Sequence, residues 1–278
     1  MPASKLKNLI LLILALSVAC LLGIVVPERA AQARAEETLH AQLEELFAAY
    51  DIRLDGSVLP RSASLYAIEL GAQKEDGAAA AGALLGAQTA LTPDSTHYAS
   101  TYSSANGVCT LRSDGGFSAA LTQKTAETDL RAASEKLLKK MGFEAGVLSE
   151  PEQQTDGTYT VTATQCLLGV PVLSDGLNLR FSDGALTAME GTFFTGASQL
   201  TRISEEACIS CADALTALLS SRDALGWVGG QITAVRQCYR YLEAASAALR
   251  LTPVWIIETD TGAFCVSGLT REVTVWEG

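Results

Sequence analysis

Residues 169–186 read Gly-Val-Pro-Val-Leu-Ser-Asp-Gly-Leu-Asn-Leu-Arg-Phe-Ser-Asp-Gly-Ala-Leu. Leu177, Leu179 and Phe181 alternate with Asn178 and Arg180, the period-two pattern of a strand with one dry face and one wet face. Ser182-Asp183-Gly184 ends the alternation with turn residues, the glycine free to take a positive φ. The segment Ala185–Glu190 is therefore expected to return antiparallel to Leu177–Phe181. Upstream, Tyr159–Cys166 reads as a third strand. Before it, Leu130, Ala133, Leu137, Leu138 and Met141 recur at helical spacing, with Gly142 placed to cap the helix end.

The same order of elements recurs downstream. Ser204 is expected to cap a helix, with Glu205 and Glu206 in its positively polarised first turn and Ile203 stapled onto Cys208. Its apolar face runs through Cys208, Cys211, Leu215, Leu218 and Leu219. Strands are expected at Gln231–Glu243, Val254–Thr259 and Ala263–Ser267. Asp260-Thr261-Gly262 takes the place of Ser182-Asp183-Gly184, and Pro253 that of Pro171. The spacing predicts two helix-then-three-strand units, a repeat of roughly 80 residues, over 121–198 and 199–278.

Residues 28–120 read as a membrane-proximal α+β domain. A helix ending at Tyr50 carries the stripe Leu39, Leu43, Leu46, Phe47 and Tyr50, with Glu36, Glu37, Glu44 and Glu45 on its wet side. Ser64–Leu70 reads as a strand and Ala78–Leu85 as a small-residue helix. Asn106-Gly107 and Ser113–Gly116 separate short strands as hairpin signals.

Residues 1–27 read as a cytoplasmic stub and an anchor. Residues 9–26 carry no charge, about the shortest run that spans a bilayer's hydrocarbon core as a helix (roughly 17–25 residues). Lys5 and Lys7 precede it, which keeps the N-terminus cytoplasmic and puts the remainder outside the cell. Ala31-Gln-Ala33 and Ala33-Arg-Ala35 resemble cleavage sites, but the run is longer than the roughly 7–15 residues of a removable signal, so a retained single-pass anchor is expected. Ala15, Ala19 and Gly23 recur every four residues and form a small-residue face against which a partner's membrane helix can pack. The expected fold class is thus α+β: an N-terminal transmembrane helix followed by antiparallel sheets with helices packed on one face.

The net charge is −11, with 31 acidic residues against 20 Lys and Arg. Such a surface repels a phosphate backbone, so no nucleic-acid partner is expected. Six of the seven cysteines follow the apolar run, at 109, 166, 208, 211, 238 and 265. Cys208-Ile-Ser-Cys211 has redox or metal-site spacing, but no second CxxC or nearby histidine completes it, so core packing is the reading.

Asp260-Thr261-Gly262-Ala263 spells the catalytic loop of an aspartic protease. That chemistry needs two carboxylates sharing one proton, and the chain holds no second Asp-Thr-Gly or Asp-Ser-Gly. Turn chemistry is the reading here. His40 and His97, the two histidines, have no nucleophile-and-orienter pattern around them. No enzyme, metal or cofactor is expected.

The stretch 169–191 resembles PepSY-like propeptide domains, as does Ile203-Ser-Glu-Glu-Ala207 followed by Pro253-Val-Trp-Ile-Ile257 and a closing hairpin. With the single anchor, the chain is similar to the YycI/YycH family of membrane-anchored accessory proteins. That resemblance implies tandem PepSY-like units, no catalytic residues, and a membrane partner such as a two-component sensor histidine kinase. The alternative it leaves open is a propeptide-like inhibitor or chaperone of a secreted hydrolase.

Overall fold

The stretch around Ser182–Gly184 folds as a hairpin, and the strands around it assemble into a much larger sheet than its own unit supplies. The computed structural model describes residues 37–60, 63–71, 74–86, 90–94, 99–122, 127–195, 200–242 and 249–277. In chain order the strands are β1 (Ile68–Leu70), β2 (Ala90–Asp94), β3 (Ala99–Ser104), β4 (Gly107–Arg112), β5 (Gly116–Leu121), β6 (Ala145–Leu148), β7 (Glu152–Gln153) and β8 (Tyr159–Leu167). They continue as β9 (Val170–Leu173), β10 (Leu177–Ser182), β11 (Ala185–Thr192), β12 (Leu200–Arg202), β13 (Ile232–Leu242), β14 (Leu249–Thr259), β15 (Gly262–Ser267) and β16 (Val273–Trp276). Residues 37–48 are helical (α1), followed by α2 (Lys74–Leu85), α3 (Leu130–Lys140), α4 (Cys211–Ser220) and α5 (Arg222–Leu225).

Among the described residues all 16 strands belong to one sheet, whose main path runs β12-β1-β14-β13-β9-β8-β10-β11-β5-β4-β3-β2. This corrects the expected fold class in two respects. First, the sheet is mixed: β9 and β13 run parallel, Val172 opposite Tyr239 and Leu173 opposite Arg240. Second, among the described residues no helix is long and apolar enough to cross a membrane. Residues 9–26, with Ala15, Ala19 and Gly23, lie outside the described residues.

The physical reason for the mixed sheet is β9, which the sequence reading passed over as a repeat marker. Leu168 and Gly169 both take positive φ (55° and 74°), the geometry of a tight hairpin turn. The turn lays Val170 and Pro171 against Leu167 and Cys166 of β8. The chain then bends at Ser174–Gly176 and rejoins β8 as β10. Between the turn and the bend β9 presents a free edge, and β13 fills it. Pro171 leaves the ladder with β13 intact because the register pairs fall on its neighbours.

Among the described residues four apolar clusters hold this arrangement, the smallest formed by Cys238, Val254, Ile256 and Cys265. One gathers α2, α3 and the sheet from β3 to β11 around Leu138, Val161, Leu177, Leu179 and Met189. A second packs Leu43 and Phe47 of α1 and Leu215 and Leu218 of α4 on Trp255, Ile257 and Val266. The third spans the junction, with Leu70, Val170, Val172, Phe194, Tyr239 and Leu251. Gln165 is buried beside this junction, where its Nε2 donates to Phe194 O and its Oε1 accepts from Phe194 N, both at 2.8 Å.

Only part of the α1 stripe reaches the core. Leu43 and Phe47 are buried, while Leu39, Leu46 and Tyr50 stay exposed. Glu44 is not merely solvated, since its Oε1 accepts from Gly56 N at 2.6 Å and holds the following turn.

Candidate functional site

A cleft of about 580 Å³ lies between α3, the end of α2 and the β10–β11 hairpin. Its origin lies in the way α3 meets the sheet. Asp129 caps the helix, its carboxylate accepting from Ala132 N at 2.9 Å, and Lys139 and Lys140 occupy the last turn, where cations suit the helix dipole. The buried line of α3 is Ser134 and Leu138, continued by Met141. Ala133 and Leu137, on the same expected stripe, are only half-buried and line the cleft.

Phe181 and Leu186 lie at its hairpin side, with Leu84 of α2 and Leu121 opposite. Lys136, Lys140, Glu127 and Asp129 also line it. Glu127 N donates to Gly184 O at 2.9 Å, tying that residue to the Ser182–Gly184 turn. Asn106 Nδ2 and Ser104 Oγ both donate to Leu85 O, closing the end of α2 above the recess. The described lining residues include no His, Cys or Ser. Apolar side chains set beside charged ones can receive a segment with an apolar anchor and polar flanks.

Asp260 sits in the tight connection between β14 and β15, exposed to solvent. Its Oδ2 accepts from Gly230 N at 3.0 Å, and its own N–H donates to Gln231 O at 3.1 Å. The Asp-Thr-Gly tripeptide therefore fastens a hairpin to the 227–231 loop. Asp183, in the matching hairpin, takes φ 51°.

The cysteine pair departs in detail from the expected helical face. The helix begins at Cys211 and is capped by Ser210, whose Oγ accepts from Asp213 N at 3.1 Å. Ser204 is not the cap: its Oγ accepts from Ala67 N at 2.9 Å, joining the β12 region to β1. Competition from the segment leading into β1 decides this, because the backbone N–H of Ala67 takes the serine as its acceptor.

Cys208 is half-buried before the helix and Cys211 is buried within it, neither joined in a disulfide. Burial pushes the Cys211 thiol up to about 12. Burial also raises Cys208, with hydrogen bonds from Gln237 and Trp255 opposing it. These are environments of packed thiols rather than activated ones. Among the described residues no group of three His, Cys, Asp or Glu side chains is placed to hold a metal ion. His97 lies outside the described residues, and His40 is on α1.

No family model matches the chain, and no curated protein does. Solved structures resemble its chain path, two of them as follows. One is an uncharacterized protein from Eubacterium rectale ATCC 33656, 9% identical, with a TM-score of 0.44, over 77% of this chain and 86% of that one. The other is the Bacillus megaterium YpeB C-terminal domain, 14% identical, with a TM-score of 0.35, over 75% of this chain and 99% of that one. Likeness at this level carries no functional argument, which rests instead on the residues above.

Proposed function

We propose that this chain is a non-catalytic, extracytoplasmic binding regulator that engages a protein partner through the α3 cleft. The observation that carries the proposal is the cleft itself. Leu137 and Ala133 leave the packed line of α3 half-exposed beside Phe181 and Leu186, with Lys136 and Lys140 among the lining residues. Apolar area set beside charged side chains is the arrangement of a protein-binding hot spot rather than of a soluble helix face. The extracytoplasmic location rests on the sequence alone, on Lys5 and Lys7 before the apolar run 9–26.

The partner implied by the YycI/YycH resemblance is a sensor histidine kinase of a two-component system. A photo-crosslinking side chain placed at Leu137, used in the native cell envelope, tests both parts. The expected result is a crosslink to a sensor kinase, lost when Phe181→Ala or Lys136→Glu is added. A crosslink to a secreted hydrolase instead replaces the kinase reading with the inhibitor or chaperone reading. Equal crosslinking from Leu137 and from an exposed control such as Glu152 overturns the cleft as the contact surface.

A further inference from the structure

The charges that line the α3 cleft come from one wall alone. Glu127, Asp129, Lys136 and Lys140 belong to α3 and the short lead into it. The remaining lining residues, Leu84, Asn106, Leu121, Phe181 and Leu186, hold no ionisable group. Nothing across the recess therefore neutralises these charges. Among the described residues Glu127, Lys136 and Lys140 enter no ion pair.

The helix fixes the order of the charges. Asp129, Ala132, Ala133, Lys136, Leu137 and Lys140 line the recess, the three-and-four spacing of one helix face. At a rise of about 1.5 Å per residue, Lys136 lies about 10 Å along the axis from Asp129, and Lys140 about 16 Å. The recess thus has an acidic end at Glu127 and Asp129 and a basic end at Lys136 and Lys140. The half-buried Ala133 and Leu137 stand between Asp129 and Lys140. Compensation of the helix dipole accounts for an acid at the cap and a lysine in the last turn. It does not account for Lys136 in mid-helix. Nor does it explain why α3 carries Arg131, Lys136, Lys139 and Lys140 against Glu135 alone, in a chain of net charge −11.

We infer that the cleft reads the charge order of its partner. It takes a segment with an acidic side chain against Lys136 and Lys140, a basic one against Glu127 and Asp129, and an apolar one between them. This rests on the α3 cleft being the contact surface. A separation of about 10–16 Å corresponds to three to five residues of extended chain at about 3.4 Å each. A uniformly acidic segment suits the lysines and is repelled at the other end. A uniformly basic one meets the reverse, so neither gains from both ends at once.

The test uses the full chain and four labelled, end-blocked peptides with the common centre Ala-Leu-Ala, followed by fluorescence anisotropy. Their flanks are Glu and Lys, Glu at both ends, Lys at both ends, or Gln at both ends. The Glu/Lys peptide should bind about three- to tenfold tighter than the Gln/Gln one, the scale of two partly exposed ion pairs. That advantage should vanish in about 1 M salt. Lys136→Glu with Lys140→Glu should move the preference to the Lys/Lys peptide. Glu127→Lys with Asp129→Asn should move it to the Glu/Glu peptide, asparagine keeping the helix cap. A variant that fails to fold loses all four peptides rather than exchanging their order, and the parent's ranking then decides. Equal binding of the four by the parent, or no binding of the Glu/Lys peptide, overturns the inference. Crosslinking from Leu137 judges the cleft as contact surface by itself, so the two readings can fail separately.

Discussion

The two helix-then-meander regions share a plan and differ in how well the helix seals its sheet. In the second region α4 buries Cys211, Ala214, Leu215 and Leu218 against Trp255, Ile257 and Val266. In the first, α3 centres its contact on Ser134, which donates to Leu130 O one turn back at 2.7 Å, and on Leu138. A serine bonded to its own helix brings no apolar bulk to the interface. The surplus apolar positions Ala133 and Leu137 then face the cleft. One helix serves as core, while the other also lines the cleft. The lesson is that which part of an apolar stripe is covered is legible only when the packing is known.

The comparison is broken most directly at equivalent leucines. Leu215 is fully buried, and Leu215→Ala should cost about 2–5 kcal/mol by removing apolar contact and leaving a cavity. Denaturant midpoints at unchanged slope measure it. A loss under about 1 kcal/mol would mean that α4 seals its sheet no better than α3 does.

Next in size is the link between the halves. Gln165→Leu strands the buried N–H and C=O of Phe194, each group costing about 1–3 kcal/mol when unpaired. Midpoints again report the loss, and unfolding in two separate transitions would show that the halves are held together chiefly by this clamp and the β9–β13 ladder.

Leu137→Ala is expected to cost only about 1 kcal/mol, because the side chain is already half-exposed. Partner crosslinking should fall far more than stability does. If stability falls as much as in Leu215→Ala, the cleft is ordinary core.

The thiols sharpen the comparison through pH. Burial holds Cys109 and Cys211 up to about 12 and Cys238 to about 11, whereas an unfolded thiol ionises near about 8.5. Above that value the folded state keeps protons that the unfolded state releases, so stability falls as pH rises. The contribution is present in full below the unfolded value and is lost as pH climbs toward 11 and 12. Cys109 lies in the first cluster and Cys211 in the second. Cys211→Ala combined with Cys238→Ala should flatten the alkaline slope more than Cys109→Ala does. Chemical denaturation from pH 8 to 10.5 measures the slopes.

The smallest effect is expected at the first hairpin. Asp183→Asn should change stability by less than about 0.5 kcal/mol, since asparagine tolerates the left-handed φ that Asp183 adopts. Asp260→Ala should cost about 1 kcal/mol through the lost acceptor for Gly230 N. Equal costs at the two turns would mean that the Asp260 carboxylate does no more than the Asp183 one.

Local periodicity and turn chemistry were decisive wherever neighbours in sequence are also neighbours in space. The alternation in Leu177–Phe181, the turn at Ser182–Gly184, the hairpins at Asn106-Gly107 and Ser113–Gly116, and the strands on either side of Asp260–Gly262 all stand in the text of the chain. The helix spacing of Leu130–Met141 does too, but not which part of its stripe is covered. What only the tertiary structure decided involves partners distant along the chain. Ser204 gave up a helix cap for the N–H of Ala67, 137 residues away. β9 took a parallel neighbour in β13, and Gln165 closed on Phe194. Trp227, Gly229 and Asp260 came together across a turn. Backbone donors and open strand edges are satisfied by whichever group reaches them. That group is fixed by the closure of the whole sheet, which no local window of sequence contains.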